Sequence, residues 1–311
     1  MPACARALFS VVMAAHDSAR TISEAIESVR LQTRADWELI VVDDGSSDDT
    51  AAIASAFGDE RIRVVTQENR GPAAARNVGL RLARTPLVST LDSDDLWLPG
   101  YLETMARTLD IERNADLAYT DAWVLDDMTG RVRKTTEMAY QRPPDPPPAA
   151  PRAFLEQLIR RNFVYNSVTA RRDALLALGG YDERLWTGED WELWLRVAAS
   201  GRRCVRAPGI LAVHRDHPGT LSSDAGRMRA GDREIYRIIE RDWEIDEEIK
   251  ALARSLGRSM EERSHRTRPL ATAVFTIRWL RQFVRRRTLW RRRPPGEVAD
   301  LLAAAGRVLD H

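Results

Sequence analysis

Short β-prone runs and helix-period segments alternate through the first hundred residues of this chain. Phe9 to Met13, Trp37 to Val42, Arg63 to Thr66 and Leu87 to Leu91 read as buried strands. Helices are predicted between and after them, at about Arg20 to Gln32, through Ala56, from Gly71 to Ala83 and from Pro99 to about Arg113. Connections of a few residues leave no room for anything but neighbouring elements. Strand–helix–strand units of this kind build a doubly wound, mostly parallel sheet with helices on both faces, so an α/β fold is expected. In the first helix Ile22, Ala25, Ile26 and Val29 mark the apolar face, and Thr21 with Glu24 has the spacing of a capping box. Ser46 and Asp49 suit the cap of the second.

The ends of these strands carry acids. The first stops at Ala14-Ala15-His16-Asp17, the second at Asp43-Asp44-Gly45 and the fourth at Asp92-Ser93-Asp94-Asp95. In an open parallel sheet, ligands bind beyond the carboxyl ends of the strands. Carboxylates this close raise one another's pKa unless something positive sits between them. A hard divalent cation, Mg²⁺ or Mn²⁺, shared with a substrate phosphate is one answer. The plainer reading of the Asp92 stretch is a cap, with Ser93 or Asp94 closing the turn at Trp97 to Tyr101. The first strand–helix turn lacks Gly-x-Gly-x-x-Gly, which disfavours a dinucleotide-binding dehydrogenase.

Further on, Leu117 to Thr120 and Trp123 to Leu125 read as strands, with a turn at Asp127 to Gly130. Tyr140 to Arg152 carries six prolines and is expected to be an extended, poorly ordered loop. A helix at Phe154 to Arg161, a strand at Asn166 to Ala170 and a helix at Arg172 to Leu178, stopped by Gly179-Gly180, follow. Trp191, Trp194, Leu195 and Ala198 then fall at helical spacing, so a buried helix is predicted from about Asp190. Glu189 and Asp190 in its first turn suit the positive end of the helix dipole. A strand runs from Val205 to Val213 into His214-Arg215-Asp216-His217, and helical periodicity resumes near Arg227 and continues almost to the end.

Charge divides the 311 residues unevenly. Between Lys250 and Arg293 there are fourteen Lys/Arg against two Glu, whereas the whole chain is only +1. An acidic body to residue 224 and a basic, mostly helical extension over 225–311 are therefore expected. Cys4 and Cys204 offer neither a disulfide framework nor zinc spacing, so a reducing, cytoplasmic setting is the default. The run Ala7 to Ala15 reads as a strand rather than a signal-peptide core, and no stretch reaches the roughly 18 apolar residues of a membrane span.

Six stretches in order, over roughly residues 7 to 222, resemble family-2 glycosyltransferases, which have the GT-A fold. They are Ser10-Val-Val-Met-Ala-Ala-His-Asp17, Val42-Asp-Asp-Gly-Ser-Ser-Asp-Asp-Thr50, Asn69-Arg-Gly-Pro-Ala-Ala-Ala-Arg-Asn-Val-Gly79, Asp92-Ser-Asp-Asp95, Gly188-Glu-Asp-Trp-Glu-Leu-Trp-Leu-Arg196 and Arg215-Asp-His-Pro-Gly-Thr-Leu-Ser222. The resemblance implies inverting, metal-dependent transfer of a sugar from a nucleotide-diphosphate donor, a UDP-sugar being favoured. The acceptor would be a hydroxyl in cell-surface polysaccharide, lipid-linked glycan or glycoconjugate synthesis. By the same resemblance Asp44 would accept a uracil-type ring N–H, with Ala14, His16 and Asp17 near the nucleotide. The family usually has Pro-Ala-Tyr-Asn where Ala14-Ala15-His16-Asp17 stands, so the Tyr that could stack on a base is missing. Arg76 is suited to a phosphate or ribose hydroxyl, because a guanidinium bonds in two places at once. Asp92 would meet the ribose or a metal-bound water, Asp94 or Asp95 the metal, and His217 the metal or diphosphate. Asp190 would be the base that takes the acceptor's proton, with Glu189 helping to position the acceptor. The alternative is a non-catalytic nucleotide-sugar-binding protein tethered by its basic tail. That tail, with Trp279, Phe283 and Trp290, reads either as a solvated face packed on the acidic body or as a contact for an anionic membrane surface. Peripheral attachment at the inner face of the membrane is the working hypothesis, and nucleic acid is not an expected partner.

Overall fold

A computed structural model describes residues 7–217 and 220–262. The tail segments Leu270 to Val284 and Val298 to Val308, with Trp279, Phe283 and Trp290, lie outside the described residues. Strand–helix alternation opens the fold as expected: β1 (Phe9–Ala15), α1 (Ile22–Arg30), β2 (Trp37–Asp43), α2 (Thr50–Ser55), β3 (Ile62–Thr66), α3 (Pro72–Leu82) and β4 (Leu87–Thr90). These four strands are parallel and lie in the order β3-β2-β1-β4. The chain thus winds outward from β1 on one side and returns to its other side. That reversal opens a crevice beyond the strand ends, between β1 and β4.

The second part of the sheet departs from the parallel pattern. β5 (Leu96–Trp97), α4 (Tyr101–Ile111), β6 (Ala115–Asp126), β7 (Arg131–Val132), α5 (Glu137–Gln141), α6 (Pro151–Arg160), β8 (Val168–Arg171), α7 (Arg172–Ala177), α8 (Glu189–Ala199) and β9 (Arg203–Asp216) follow. β8 enters antiparallel beside β4, β6 lies antiparallel to β8 and parallel to β9, and β5 pairs antiparallel with β9. Among the described residues the result is one nine-stranded mixed sheet. β6 is a single strand where two were expected, with a register shift at Asp121 in place of a break. The Pro-rich segment is shorter than predicted as a loop, since α5 reaches Gln141 and α6 starts at Pro151, whose missing N–H costs nothing at a first helical position.

Packing follows the predicted faces. Ile22, Ala25, Ile26 and Val29 of α1 are fully buried against β1, β2 and the stacked pair Trp97–Tyr101, whose ring centroids are 3.9 Å apart. Each such aliphatic side chain withdrawn from water stabilises the fold by roughly 1.5–3 kcal/mol. Two cap readings are corrected. The Thr21 hydroxyl donates back to Ser18 O and makes no N-cap bond, and the Glu24 carboxylate is taken by Arg215. At α2 the capping carboxylate is that of Asp48, which accepts from Thr50 N at 3.0 Å, while Ser46 donates to Asp43.

The chain divides into two compact units at Gly231/Asp232. The helix α9 (Ala225–Asp242) crosses this boundary, and residues 247–262 are helical again. Residues 243–246 interrupt the periodicity that was expected to run on. Among the described residues no helix is long and apolar enough to cross a membrane.

Candidate active site

Four strand ends and two helix starts converge on one cavity of about 560 Å³. All eleven site residues named from the sequence border it.

The tips of β1 and β2 form one wall, where Ala14 ends the buried run. His16 Nδ1 lies 3.0 Å from the backbone carbonyl of Asp44, and Asn69 Nδ2 sits against the imidazole. Asp17 adopts φ 47°, and its Oδ1 accepts from Ser47 N at 2.7 Å, which holds this exposed carboxyl below its ordinary range. Asp44 is buried and accepts three N–H bonds, from Gln67 Nε2 at 2.7 Å, Arg70 N at 3.0 Å and Gly71 N at 2.8 Å. Its carboxylate therefore ties the β2 tip to the loop that starts α3. Gly71 caps that helix at φ 89°, a conformation that excludes most side chains, and Pro72 follows.

Arg76 projects from the second turn of α3. Its Nη2 donates to Asp92 Oδ1 at 2.6 Å and its Nη1 to Glu189. Burial opposes the guanidinium's charge, but Asp92 and Glu189 overcome that and raise its pKa well above normal. Asp92 also accepts from Asn166 Nδ2 at 2.9 Å, so β8's entry loop is tied to the end of β4.

The three acids after β4 have three different fates. Asp92 is bound as just described. Asp94 Oδ2 meets His217 Nε2 at 3.1 Å; burial raises its carboxyl's pKa, yet the His217 bond and charge bring it below the ordinary value. Asp95, read from the sequence beside Asp94 as a metal ligand, is buried with both carboxylate oxygens already bonded. Tyr165 donates its hydroxyl to Asp95 Oδ2, and Arg215 N donates to Oδ1 at 2.8 Å. Burial, and then the neighbouring Asp94, push its pKa up to about 8. Neither Ser93 nor Asp94 caps a helix: Ser93 Oγ meets Ser18 Oγ at 2.8 Å, and α4 begins at Tyr101 after Gly100. The charges at the strand ends are thus largely matched by the chain's own donors and cations.

Arg215 holds this loop from below. Its Nε donates to Asp94 O at 2.8 Å, its Nη1 to Asp127 Oδ1 at 2.9 Å and its Nη2 to Glu24. Beside it, His214 Nδ1 meets Glu137 Oε1 at 2.6 Å; burial lowers the imidazole's pKa, but Glu137 and the nearby Asp95 carry it up to about 9.

The opposite wall is the start of α8, entered through Gly188 at φ 75°. Asp190 is half-buried, and its Oδ1 accepts from Trp191 N at 2.7 Å. Burial, and then the charge of Glu189, push its pKa up to about 7. A carboxylate titrating near neutrality is matched to the task of a general base.

For a divalent cation the donor set is small. Among the described residues no group of three or more His, Cys, Asp and Glu side chains is placed to hold a metal. Asp94 with His217 supplies two donors on the cavity wall, which fits a hard cation that takes its remaining ligands from diphosphate oxygens and water.

Sequence reasoning missed Tyr165, Asn166 and the role of Arg215. Arg215 stood in plain sight beside His217, but its partners Glu24, Asp94 and Asp127 are far away along the chain. Tyr165 and Asn166 carried no local signal, because they matter only once β8 has docked against β4.

A model of "Glycosyl transferase family 2" matches residues 10–175. The chain is 33% identical over 251 residues to succinoglycan biosynthesis protein ExoU of Rhizobium meliloti (strain 1021), covering 76% of this chain and 71% of that one. It is 38% identical over 242 residues to UDP-Glc:alpha-D-GlcNAc-diphosphoundecaprenol beta-1,3-glucosyltransferase WfgD of Escherichia coli, covering 76% and 85%. In fold it is similar to S. aureus TarS 1-349 in complex with UDP-GlcNAc, at TM-score 0.60 and 21% identity over 87% of this chain and 75% of that one. The sheet described above is of the GT-A kind, and the chain belongs to glycosyltransferase family 2.

Proposed function

We propose that this chain is an inverting glycosyltransferase that moves a sugar from a UDP-sugar to a hydroxyl acceptor in polysaccharide or lipid-linked glycan synthesis. One observation carries the reading. Asp190, with its pKa near 7, shares a single cavity with the Asp94–His217 pair and the acid-lined strand tips. The names of WfgD and of the TarS complex support the UDP donor, and that of WfgD the lipid-linked acceptor.

In this reading Ala14, His16, Asp17 and Asp44 make the nucleoside side of the cavity, and Asp92 with Arg76 the ribose and phosphate side. The Asp190 carboxylate takes the acceptor hydroxyl's proton as that oxygen bonds to the anomeric carbon. The bond from that carbon to the diphosphate oxygen breaks, UDP leaves with its electron pair, and the configuration inverts. Glu189 raises the basicity of Asp190 by its charge and holds Arg76 in place. Asp94 and His217 would hold a divalent Mg²⁺ or Mn²⁺ ion, which when bound supplies charge stabilisation for the departing diphosphate. Asp95 positions the loop that carries Asp94.

A UDP-release assay with Mg²⁺ or Mn²⁺, together with UDP titration calorimetry, tests this. Asp190→Asn is expected to keep UDP binding and to lose transfer by about 10²–10⁴-fold. Asp94→Ala is expected to lose both. Normal turnover by Asp190→Asn refutes the base assignment, and a chain that binds UDP-sugars yet releases no UDP is a binder rather than an enzyme.

A further inference from the structure

The loop before α8 is pinned almost throughout. Tyr181 N donates to Asn77 Oδ1 at 2.8 Å and Asn77 Nδ2 donates to Tyr181 O at 2.8 Å. Glu183 bonds Arg70 at 2.8 Å, Leu185 is buried, and the Thr187 hydroxyl donates to Arg227 O at 3.3 Å. Of the large hydrophobic side chains in this run, Tyr181 and Leu185 are buried, whereas Trp186 is 53% exposed, on the rim of the cavity and four residues before Asp190.

The indole is held flat. A Cβ on Gly71 would lie 3.4, 3.5 and 3.6 Å from three atoms of its six-membered ring, near-equal distances that place the Gly71 backbone over one ring face. About half of the residue's surface stays open at the cavity rim. An aromatic face carries partial negative charge and attracts the slightly positive C–H groups of a sugar ring, while both surfaces shed water. Because the surrounding loop is already fixed, little ordering cost remains for a ligand that stacks there.

We propose that Trp186 is the platform on which the terminal pyranose ring of the acceptor stacks, so that the acceptor is a glycoside rather than a simple alcohol or a hydroxyl side chain. This rests on the transfer reaction proposed above. A nucleobase is the other flat ligand of the cavity, and UDP affinity in the variants separates the two. Gly71 stands between the indole and Asp44, which accepts the Gly71 N–H. Trp186 lines the same cavity as Asp190, four residues further on, where the acceptor hydroxyl must arrive. Leu221 and Met228 line the same cavity and add apolar surface to it.

The test uses the full chain as wild type, Trp186→Ala and Trp186→Phe. UDP affinity with Mn²⁺ is measured by calorimetry, and binding of methyl β-D-glucopyranoside, methyl β-D-galactopyranoside and methyl α-N-acetyl-D-glucosaminide to the UDP-loaded protein by saturation-transfer NMR. UDP affinity is expected to stay within about twofold in all three proteins, with glycoside binding about fivefold weaker in Trp186→Ala and largely kept in Trp186→Phe. Retained UDP affinity also shows that Trp186→Ala is folded. Glycoside binding by Trp186→Ala equal to wild type overturns the proposal, and so does its absence from UDP-loaded wild type. A parallel loss of UDP affinity assigns the indole to the nucleotide and overturns it too. Failure of wild type to bind UDP refutes the nucleotide-donor reading itself and removes the ground for the platform.

Discussion

Asp190 has to be ionised to act as a base, and its surroundings oppose ionisation. The rate of transfer at limiting acceptor should therefore rise with pH, with an apparent pKa of about 7, and level off above it. The same shift has a consequence for stability. The folded pKa lies above the unfolded value near 3.8, so folding is favoured by the bound proton below pH 4 and loses that contribution as pH rises to about 7. Asp190→Asn, which cannot ionise, should melt higher than wild type at pH 8, by the order of 1 kcal/mol after allowance for solvent, and equally at pH 4. Thermal melts at the two pH values check this; a gain of the same size at both would show that the charge is not the cause. Glu189 and Asp190 were legible in the sequence because two acids open a helix of clear periodicity. The pairing of Glu189 with Arg76 was not, since the two are 113 positions apart and only the docking of α8 against α3 brings them together.

Among the elements, α3 is pressed hardest onto the sheet. A Cβ on Gly79 would fall 2.3 Å from Val12 Cγ1 in β1, so the helix can approach only because that position has no side chain. In an open helix Gly→Ala would stabilise by roughly 1 kcal/mol. Here the overpacking cost of about 1–3 kcal/mol should win, and Gly79→Ala should lower the urea midpoint. Restoration by Val12→Ala in the double variant would confirm the contact as the cause. The helices other than α5 and the first four strands were readable from their apolar spacing. The antiparallel entry of β8 and the two-residue β5 were not, because pairing partners and direction depend on what lies across the sheet rather than along the chain. The Thr21–Glu24 pattern shows the same limit: the spacing is that of a capping box, but buried Arg215 offers Glu24 a stronger partner.

For the molecule as a whole, winding order decides where ligands go. β1 lies between β2 and β4, and the crevice at that reversal collects the ends of β1, β2 and β4. Alternation alone implied a doubly wound parallel sheet with ligands at its strand ends, but not the strand order that sets where the reversal lies. The basic stretch Lys250 to Arg293 adds a separate expectation, motivated by its charge. We propose that it attaches the protein peripherally to anionic membrane. Flotation with vesicles rich in anionic lipid should carry the full chain upward, and about 0.5 M salt should release it. Equal flotation with neutral vesicles would argue against an electrostatic contact.

Arg76 already lies between Asp92 and Glu189, and His217 already rests on Asp94. Under the proposed function, nucleotide entry into such a cleft is an exchange of partners, not the filling of a bare charge. Affinity then reports a difference between two sets of bonds, and it stays moderate even where each new bond is strong. In the proposed reaction departure is eased for the same reason: when the diphosphate goes, Arg76 and His217 fall back on the acids beside them, and the site resets for the next turnover.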